Sequence, residues 1–456
     1  MRRRARKTPE ASPGFSSQEE FMQKAAVIGA GYVGLVTATC LAELGHRIVC
    51  VDNDLKKLAK LKKGIMPIFE PGLAELVHKN QKAKRLIFSN SITDATKASQ
   101  IIFICVNTPP LSDGGADLSM VEKVASEIGK AMTEYKVIVG KSTVPAETHE
   151  KIKRTVHMIT KGKGDFDVAS NPEFLREGHA VEDTLHPDRI VVGVESKRAE
   201  KIMRELYRPL KAPILITNIT TAEIIKHACN SFLSTKISYM NAVANICERV
   251  NADVERVAEG MGFDKRIARY FLNAGAGFGG NCFPKDLDAF IHLAETKGYN
   301  FDLLKAVRKI NHDQKKLIMK KIEDALWIVK GKTIAVLGLS FKPMTDDIRN
   351  SISIDMVKLL QDAKAVIRAY DPQALEKARQ TLKGVTLCKN AYDACKGADC
   401  CLIMTEWDDF RILDLAKVKK ILRQPIVIDT RNVFDPQAMV DMGFVYKCIG
   451  RGTAFA

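Results

Sequence analysis

Ten consecutive residues, Gly277, Phe278, Gly279, Gly280, Asn281, Cys282, Phe283, Pro284, Lys285 and Asp286, set three glycines before one cysteine, and an amphipathic run follows to Thr296. The pattern predicts a helix that begins at Pro284, where a missing N–H costs nothing and φ is already suitable. Cys282 then sits at a helix N-terminus with Lys285 close in sequence, and both features favour the nucleophilic thiolate over the thiol. The glycines permit positive φ and let a ligand or another backbone approach the sulfur. The same residues also fit a Gly-rich loop that ends in a helix and buries an inert cysteine. The rest of the chain decides between these readings.

A second pair lies upstream. Residues 221–251 carry one long helical pattern, in which Lys226 and Asn230 are four apart and place an amine and an amide on one face. A lysine on a helix is usually solvated, so this pair gains meaning only from what faces it. Shorter helices are expected at 254–261 and 265–271, then the cysteine loop, then more helix to about residue 330. This helical middle has the length and apolar content for a dimer interface as well as a core.

The elements that must position these groups begin with an apolar run at 24–28 leading into Gly29, Gly31 and Gly34, spaced Gly-x-Gly-x-x-Gly, then a helical pattern and a strand that ends at Asp52. Gly29 and Gly31 allow a tight turn and close approach to a pyrophosphate at the helix N-terminus, and Gly34 lets the helix pack on the strand. Asp52, about 20 residues on, is placed to bind a ribose 2′-OH, and with no arginine after it favours NAD over NADP. Further strand-like runs at 98–106, 136–140 and 167–170 end in polar segments containing Thr108, Ser142 with Thr143, and 171–178. Ligands gather beyond the carboxyl ends of parallel strands, so these are site candidates, although each also fits a turn or cap. The segment 171–178, with Glu173, Arg176 and Glu177, is more polar than a turn requires. Runs at 188–193 and 214–217 complete the sheet.

From Lys332 the pattern restarts, with a strand into Gly338, a helix at 353–363, a strand ending at Asp371, and two more strands at 400–407 and 425–432. This second Rossmann-like unit lacks the full glycine fingerprint and is expected to bind a nucleotide in another way. The chain thus divides into a basic flexible tail (1–23), an NAD-binding Rossmann domain (24–217), a central helical and dimerisation domain with the cysteine loop (218–330), and a second Rossmann-like domain (331–456). The expected fold class is α/β, with two doubly wound parallel-sheet domains joined by a long central helix.

Composition narrows the function. With 456 residues, 46% hydrophobic and 27% charged, the chain is long enough for several cores. No run approaches the ~18 apolar residues of a membrane span. The basic N-terminus lacks the apolar segment of a secretory signal, and Glu10, Glu19 and Glu20 argue against a transit peptide. The net charge of +16 comes without the aromatic-interleaved basic motifs of nucleic-acid binders, and phosphorylated small molecules account for it as well. The 11 cysteines form no Cys-x-x-Cys and have no histidine at metal spacing, which predicts a reducing, cytoplasmic setting with neither disulfide framework nor metal site.

Together, these motifs resemble the nucleotide-sugar 6-dehydrogenases of the UDP-glucose/GDP-mannose dehydrogenase family, most closely those members that oxidise UDP-glucose. The likeness runs from about Lys24 to Arg451 and includes Asn107-Thr108-Pro109, residues 142–145 and 171–178, Lys226 with Asn230, residues 277–286, Phe341-Lys342, Asp347 with Arg349, Asp371-Pro372 and Asp429 with Arg431. The resemblance implies that a C6 alcohol is oxidised twice, each time passing a hydride to NAD, to give UDP-glucuronate. It implies capture of the aldehyde-level intermediate by Cys282, oxidation to a thioester and hydrolysis. Lys226 then stabilises oxyanion charge, Asp286 and Glu173 handle protons, Thr143 holds a water and Asn230 assists.

By the same resemblance, NAD contacts fall on Gly29, Gly31, Tyr32, Val33, Gly34, Asp52, Lys57, Thr108, Thr143, Glu177, Lys285 and Arg349. The sugar nucleotide is expected to meet Glu173, Phe174, Leu175, Arg176, Lys226 and Asn230, with Phe271, Gly279, Phe341, Lys342 and Arg431 on its other side. Arg266 corresponds to a residue that reaches into a neighbouring subunit's site, which implies at least a homodimer. The same chemistry on a UDP-N-acetylhexosamine, GDP-mannose or TDP-glucose remains open, since fold does not fix the sugar. A β-hydroxyacid dehydrogenase shares the Rossmann start and the Lys-x-x-x-Asn pair, but Cys282 and a second nucleotide-type domain argue against it. A non-catalytic NAD- or UDP-sugar-binding protein is expected to have lost one of Cys282, Lys226 or Asp286, and all three are present.

Overall fold

A computed structural model describes residues 22–111 and 113–452; nearly all of the basic tail lies outside them. The first sheet comprises β1 (Lys24–Ile28), β2 (Arg47–Val51), β3 (Leu86–Ser89), β4 (Ile101–Ile104), β5 (Lys136–Gly140), β6 (Phe166–Ser170), β7 (Ile190–Gly193) and β8 (Ile214–Thr217). Their order is β3-β2-β1-β4-β5-β6-β7-β8. All pairs are parallel except β6 with β7, which meet antiparallel at Ser170 and Gly193. The second sheet comprises β9 (Thr333–Leu337), β10 (Val366–Tyr370), β11 (Val385–Leu387), β12 (Cys400–Ile403), β13 (Ile426–Asp429) and β14 (Val445–Lys447), in the order β11-β10-β9-β12-β13-β14. Central strands such as β4 and β12 are buried at every residue because helices cover both faces.

In each sheet the strand order reverses beside the first strand, at β1/β4 and at β9/β12, so a crevice opens there beyond the carboxyl ends. The two crevices are built alike. Gly29 has φ 106° and Gly338 φ 95°; each donates its N–H to the end of the next strand, at Val51 and Tyr370. Each following strand ends in an aspartate, Asp52 or Asp371, that accepts N–H groups from the turn after the glycine.

Between the sheets, the helix Ile219–Val250 runs for 32 residues, about 48 Å at 1.5 Å per residue. Against it pack the helices Phe283–Thr296 and Asp302–Leu326, around a small core of Phe278, Leu287, Ile291, Leu304 and Val307. Residues 265–271, expected as a helix, instead form turns: Ala268 (φ 58°) and Phe271 (φ 63°) are left-handed, which ends any helix there. The edge strands β11 and β14, three residues each, are too short to signal themselves by periodicity, and the edge strand β3 was not anticipated either.

Candidate active site

Lys226 and Asn230 lie on a buried polar stripe of the long helix, with Glu223, His227, Ser234 and Ser238. A stripe at helical spacing normally faces a core. Here it is polar, and each group needs a partner. Lys226 donates from Nζ to Glu173 Oε1 at 2.8 Å, with both side chains almost fully buried. Asn230 donates from Nδ2 to Asp286 Oδ2 at 2.6 Å, and Asp286 is fully buried. Two turns of the long helix therefore hold the carboxylates of the 171–178 loop and the cysteine helix against one another.

Cys282 caps the helix Phe283–Thr296, so Pro284 occupies its second position, one residue later than expected. The loop before it is fastened from several elements. Asn241 accepts the Gly275 N–H, Asn311 bonds both backbone groups of Phe278, Gln314 donates to Gly275 O, and Asn350 donates to Gly280 O. Two glycines are dictated by contact: a Cβ on Gly279 would lie 2.4 Å from Asn350 O, and one on Gly280 would strike the Phe341 ring at 2.8 Å.

The expected thiolate is not what this setting favours. Burial first, then the Glu173 carboxylate, push the Cys282 thiol up to about 12, with Lys226 opposing them. Lys285, expected beside the sulfur, instead donates to Asp286 Oδ1 at 2.7 Å. A helix N-terminus and one cation are outweighed by desolvation among carboxylates. For Asp286 itself, burial raises the carboxyl, but Lys285 and Lys226 overcome it and hold it below the usual range. For Lys226, burial lowers the ammonium, and the Glu173 and Asp286 carboxylates more than restore it. The charged forms sustain one another.

The first crevice fits a dinucleotide. Gly31 caps the helix Tyr32–Glu43 with no side-chain bond to its first turn, leaving those N–H groups for an anion. A Cβ at Gly31 would meet only Asn107 Oδ1, at 4.0 Å, so this face is roomy, whereas one at Gly29 would lie 2.6 Å from Cys105 O and one at Gly34 1.8 Å from Gly29 O. Asp52 accepts from Ala30 N–H and from Lys57 Nζ, both at 2.8 Å, through one oxygen, and from Asp54 N–H through the other. Val33 follows in the first turn of that helix. Thr108 and Thr143 stand together across the strand ends, Thr108 Oγ1 donating to Thr143 O at 3.0 Å.

Other expected residues lie elsewhere. The Tyr32 hydroxyl bonds Glu70 and accepts the Gly178 N–H, and Glu70 also accepts N–H groups of Gly178 and Ala180, so it ties the glycine turn to the 171–178 loop. Leu175 donates its N–H to Glu173. Phe174 lies under the Arg189 guanidinium at 3.9 Å and near Lys226 at 5.5 Å. Arg176 is exposed and chelates Asp183, and Arg266 is exposed and chelates Asp264, so neither joins the cluster within this chain. Glu177 faces the second domain, accepting from Thr345 Oγ1 with Arg349 at 3.8 Å; burial and then Asp347 push its carboxyl up to about 7. Lys342 lies close by, its amine lowered by burial against the pull of Glu177. Arg431 bonds Met404 O, Gly277 O and Phe341 O, joining the second domain to the cysteine loop. Phe271 packs edge-on against Phe283. In the second crevice Asp371, like Asp52, is held by protein donors through both oxygens, from Leu339 and Ser340 on one and from the Gln373 and Ala374 N–H groups on the other.

A dinucleotide crevice with an acidic strand end, facing a cysteine among a lysine, an amide and carboxylates, defines a nucleotide-dependent oxidoreductase. Residues 23–211 match the NAD binding domain of the UDP-glucose/GDP-mannose dehydrogenase family, residues 220–313 its central domain and residues 335–436 its UDP binding domain. The chain belongs to this family, as the motifs indicated, and NAD is its cofactor. It is 48% identical over 431 residues to UDP-glucose 6-dehydrogenase TuaD of Bacillus subtilis, covering 94% of each chain. It is 44% identical over 435 residues to UDP-glucose 6-dehydrogenase of Rhizobium meliloti, covering 94% of this chain and 99% of that protein. Among solved structures, a UDP-glucose dehydrogenase from Pyrobaculum islandicum superposes with a TM-score of 0.88 at 38% identity, covering 93% of this chain and 97% of the other. A UDP-D-ManNAc dehydrogenase from Pyrococcus horikoshii gives 0.83 at 29%, covering 94% and 99%. Among the described residues no helix is long and apolar enough to cross a membrane.

Proposed function

We propose that this chain oxidises UDP-glucose to UDP-glucuronate in two NAD-dependent steps, through a thiohemiacetal and a thioester on Cys282. The observation that carries the mechanism is the buried constellation of Cys282, Lys226, Glu173, Asn230 and Asp286, in which two carboxylates and one ammonium surround a single sulfur. NAD supplies the hydride acceptor. Lys226 is assigned the negative charge that develops on the sugar oxygen, and its own charge, secured by Glu173 and Asp286, suits that task. Because the resting thiol is protonated, its proton leaves as the C–S bond forms, and the neighbouring carboxylates are the acceptors in reach. Water then breaks the thioester.

The identities of 44–48% to proteins named for UDP-glucose support that sugar over its relatives. The second domain holds the UDP moiety, with Phe341 and Arg431 bordering the cysteine loop and Lys342 next to Phe341 and near Glu177. The enzyme works as a homodimer or larger assembly. The long helix and its neighbours expose Phe232 (64%), Ile246 (59%), Phe263 (79%) and Tyr270 (82%), apolar side chains that a second copy would cover, and Arg266 lies between the last two in sequence. The 11 unpaired cysteines suit the reducing cytoplasm. The test is kcat/KM for UDP-glucose, UDP-N-acetylglucosamine, GDP-mannose and TDP-glucose in parallel. UDP-glucose is expected to lead by at least tenfold, and a higher value for any other sugar nucleotide would move the specificity.

A further inference from the structure

Behind Glu173, a cavity of about 60 Å³ is lined by Thr37, Lys141, Asn171, Glu173, Phe174 and Arg189 among others, and none of its lining residues comes from the cysteine loop or the second domain. That is room for at least one water, which needs roughly 10–15 Å³ on this measure. The polar wall is built, and it is buried: Lys141 is 8% exposed, Asn171 1% and Thr37 2%. Lys141 donates from Nζ to Asn171 Oδ1 at 3.1 Å, and Tyr207 donates to the same oxygen at 2.5 Å. Asn171 Nδ2 donates to Val191 O at 2.8 Å. This network pins the ends of β5, β6 and β7 two residues before Glu173. Thr37 is among the lining residues, and its buried hydroxyl has no hydrogen-bond partner among the described residues. A buried hydroxyl left so is costly unless something polar meets it.

Glu173 lines this cavity and also acts on the Cys282 sulfur. One oxygen accepts Lys226 and the other the Leu175 N–H, and each retains a second lone pair. Its charge is the strongest acting on Cys282. We propose that the cavity bounded by Thr37, Lys141 and Asn171 holds the water that hydrolyses the acyl-enzyme, with Lys141 as a positioning residue for Glu173. This rests on the thioester reading above. In the step, the water oxygen bonds the acyl carbon as the C–S bond breaks. One water proton passes by way of Glu173 to the leaving sulfur, restoring the thiol, and the other stays on the new carboxyl group. Water arriving from behind Glu173 lets hydrolysis proceed while the crevices on the other side stay filled by the nucleotides. Burial lowers the Lys141 amine, with Cys105 and Glu173 pulling it back, so the balance of charge beside Glu173 depends on this lysine.

The test is stopped-flow NADH formation by Thr37→Val, which keeps the shape and removes the hydroxyl, by Leu41→Phe, which narrows the cavity, and by Lys141→Met. Each variant is expected to give a full initial burst of NADH, then a steady state slowed roughly ten- to a hundredfold, with KM falling alongside kcat. Acid-quenched intact mass should show acyl-enzyme on Cys282. A purely structural role would lower burst and steady state together, and that result, or no change in either phase for Thr37→Val and Leu41→Phe, would overturn the proposal. Wild-type enzyme that makes no NADH from UDP-glucose would instead overturn the proposed function, and this inference with it.

Discussion

The protonated state of Cys282 is a consequence of its surroundings that alkylation can read directly. At a pKa of about 12, the thiolate fraction at pH 8 is about one part in ten thousand, against roughly a quarter for an unperturbed cysteine. Iodoacetamide reacts with thiolate, so Cys282 in the ligand-free enzyme should alkylate roughly two-thousandfold more slowly than a free cysteine at that pH. The rate should climb about tenfold per pH unit from 7 to 10 without levelling. Peptide mapping after timed quenches separates Cys282 from Cys229, the other cysteine that is not fully buried. Glu173→Gln removes the carboxylate that raises the thiol most after burial and should speed alkylation at every pH; Lys226→Met removes the opposing cation and should slow it. A plateau below pH 9 in the wild-type protein would refute the reasoning, because it would mean that the helix terminus and the lysines outweigh burial.

Lys226→Met should also leave Glu173 buried without its ion, at a cost of roughly 3–5 kcal/mol in urea denaturation; adding Glu173→Gln should recover most of that stability and none of the turnover. Asp52→Ala should weaken NAD binding at least tenfold while leaving the sugar nucleotide within a factor of two, and calorimetric titration with each ligand checks both. Glu177, with its carboxyl raised to about 7, holds a proton in the folded state that the unfolded chain has released between about pH 4.5 and pH 7, so its contribution to stability falls as pH rises through that window. Glu177→Gln should flatten this part of the melting-temperature profile, and an unchanged slope would remove Glu177 from the account. Gly178→Ala is expected to lower the melting temperature and turnover together, since at φ 81° a Cβ would lie 2.5 Å from Met344 O across the domain boundary.

Much of the site was legible because its residues sit where chain geometry must place ligands. Gly29, Gly31, Gly34 and Asp52 mark a crevice through spacing alone. Lys226 and Asn230 read as one helix face, but the sequence left open what that face met. Glu223 and His227, on the same buried stripe, were missed because no local pattern marks a polar residue as buried, although the recurrence of polar groups at helical spacing inside an apolar helix was a usable signal. Glu70 carries no local signal, because its role depends on Gly178 and Ala180, more than a hundred residues away. The thiolate expected at Cys282 failed for a related reason: helix position is local, whereas burial and the nearness of Glu173 arise only on folding. The helix expected at 265–271 failed because Ala268 and Phe271 adopt left-handed backbone that neither residue type announces.

A four-electron oxidation through one cysteine is read from the NADH formed per UDP-glucose consumed by the purified protein, with Cys282→Ser alongside. The account predicts two NADH per sugar nucleotide for the wild-type protein, and for Cys282→Ser no net acid formation with NAD binding intact. One NADH per turnover in the wild type, or normal acid production by Cys282→Ser, would contradict it.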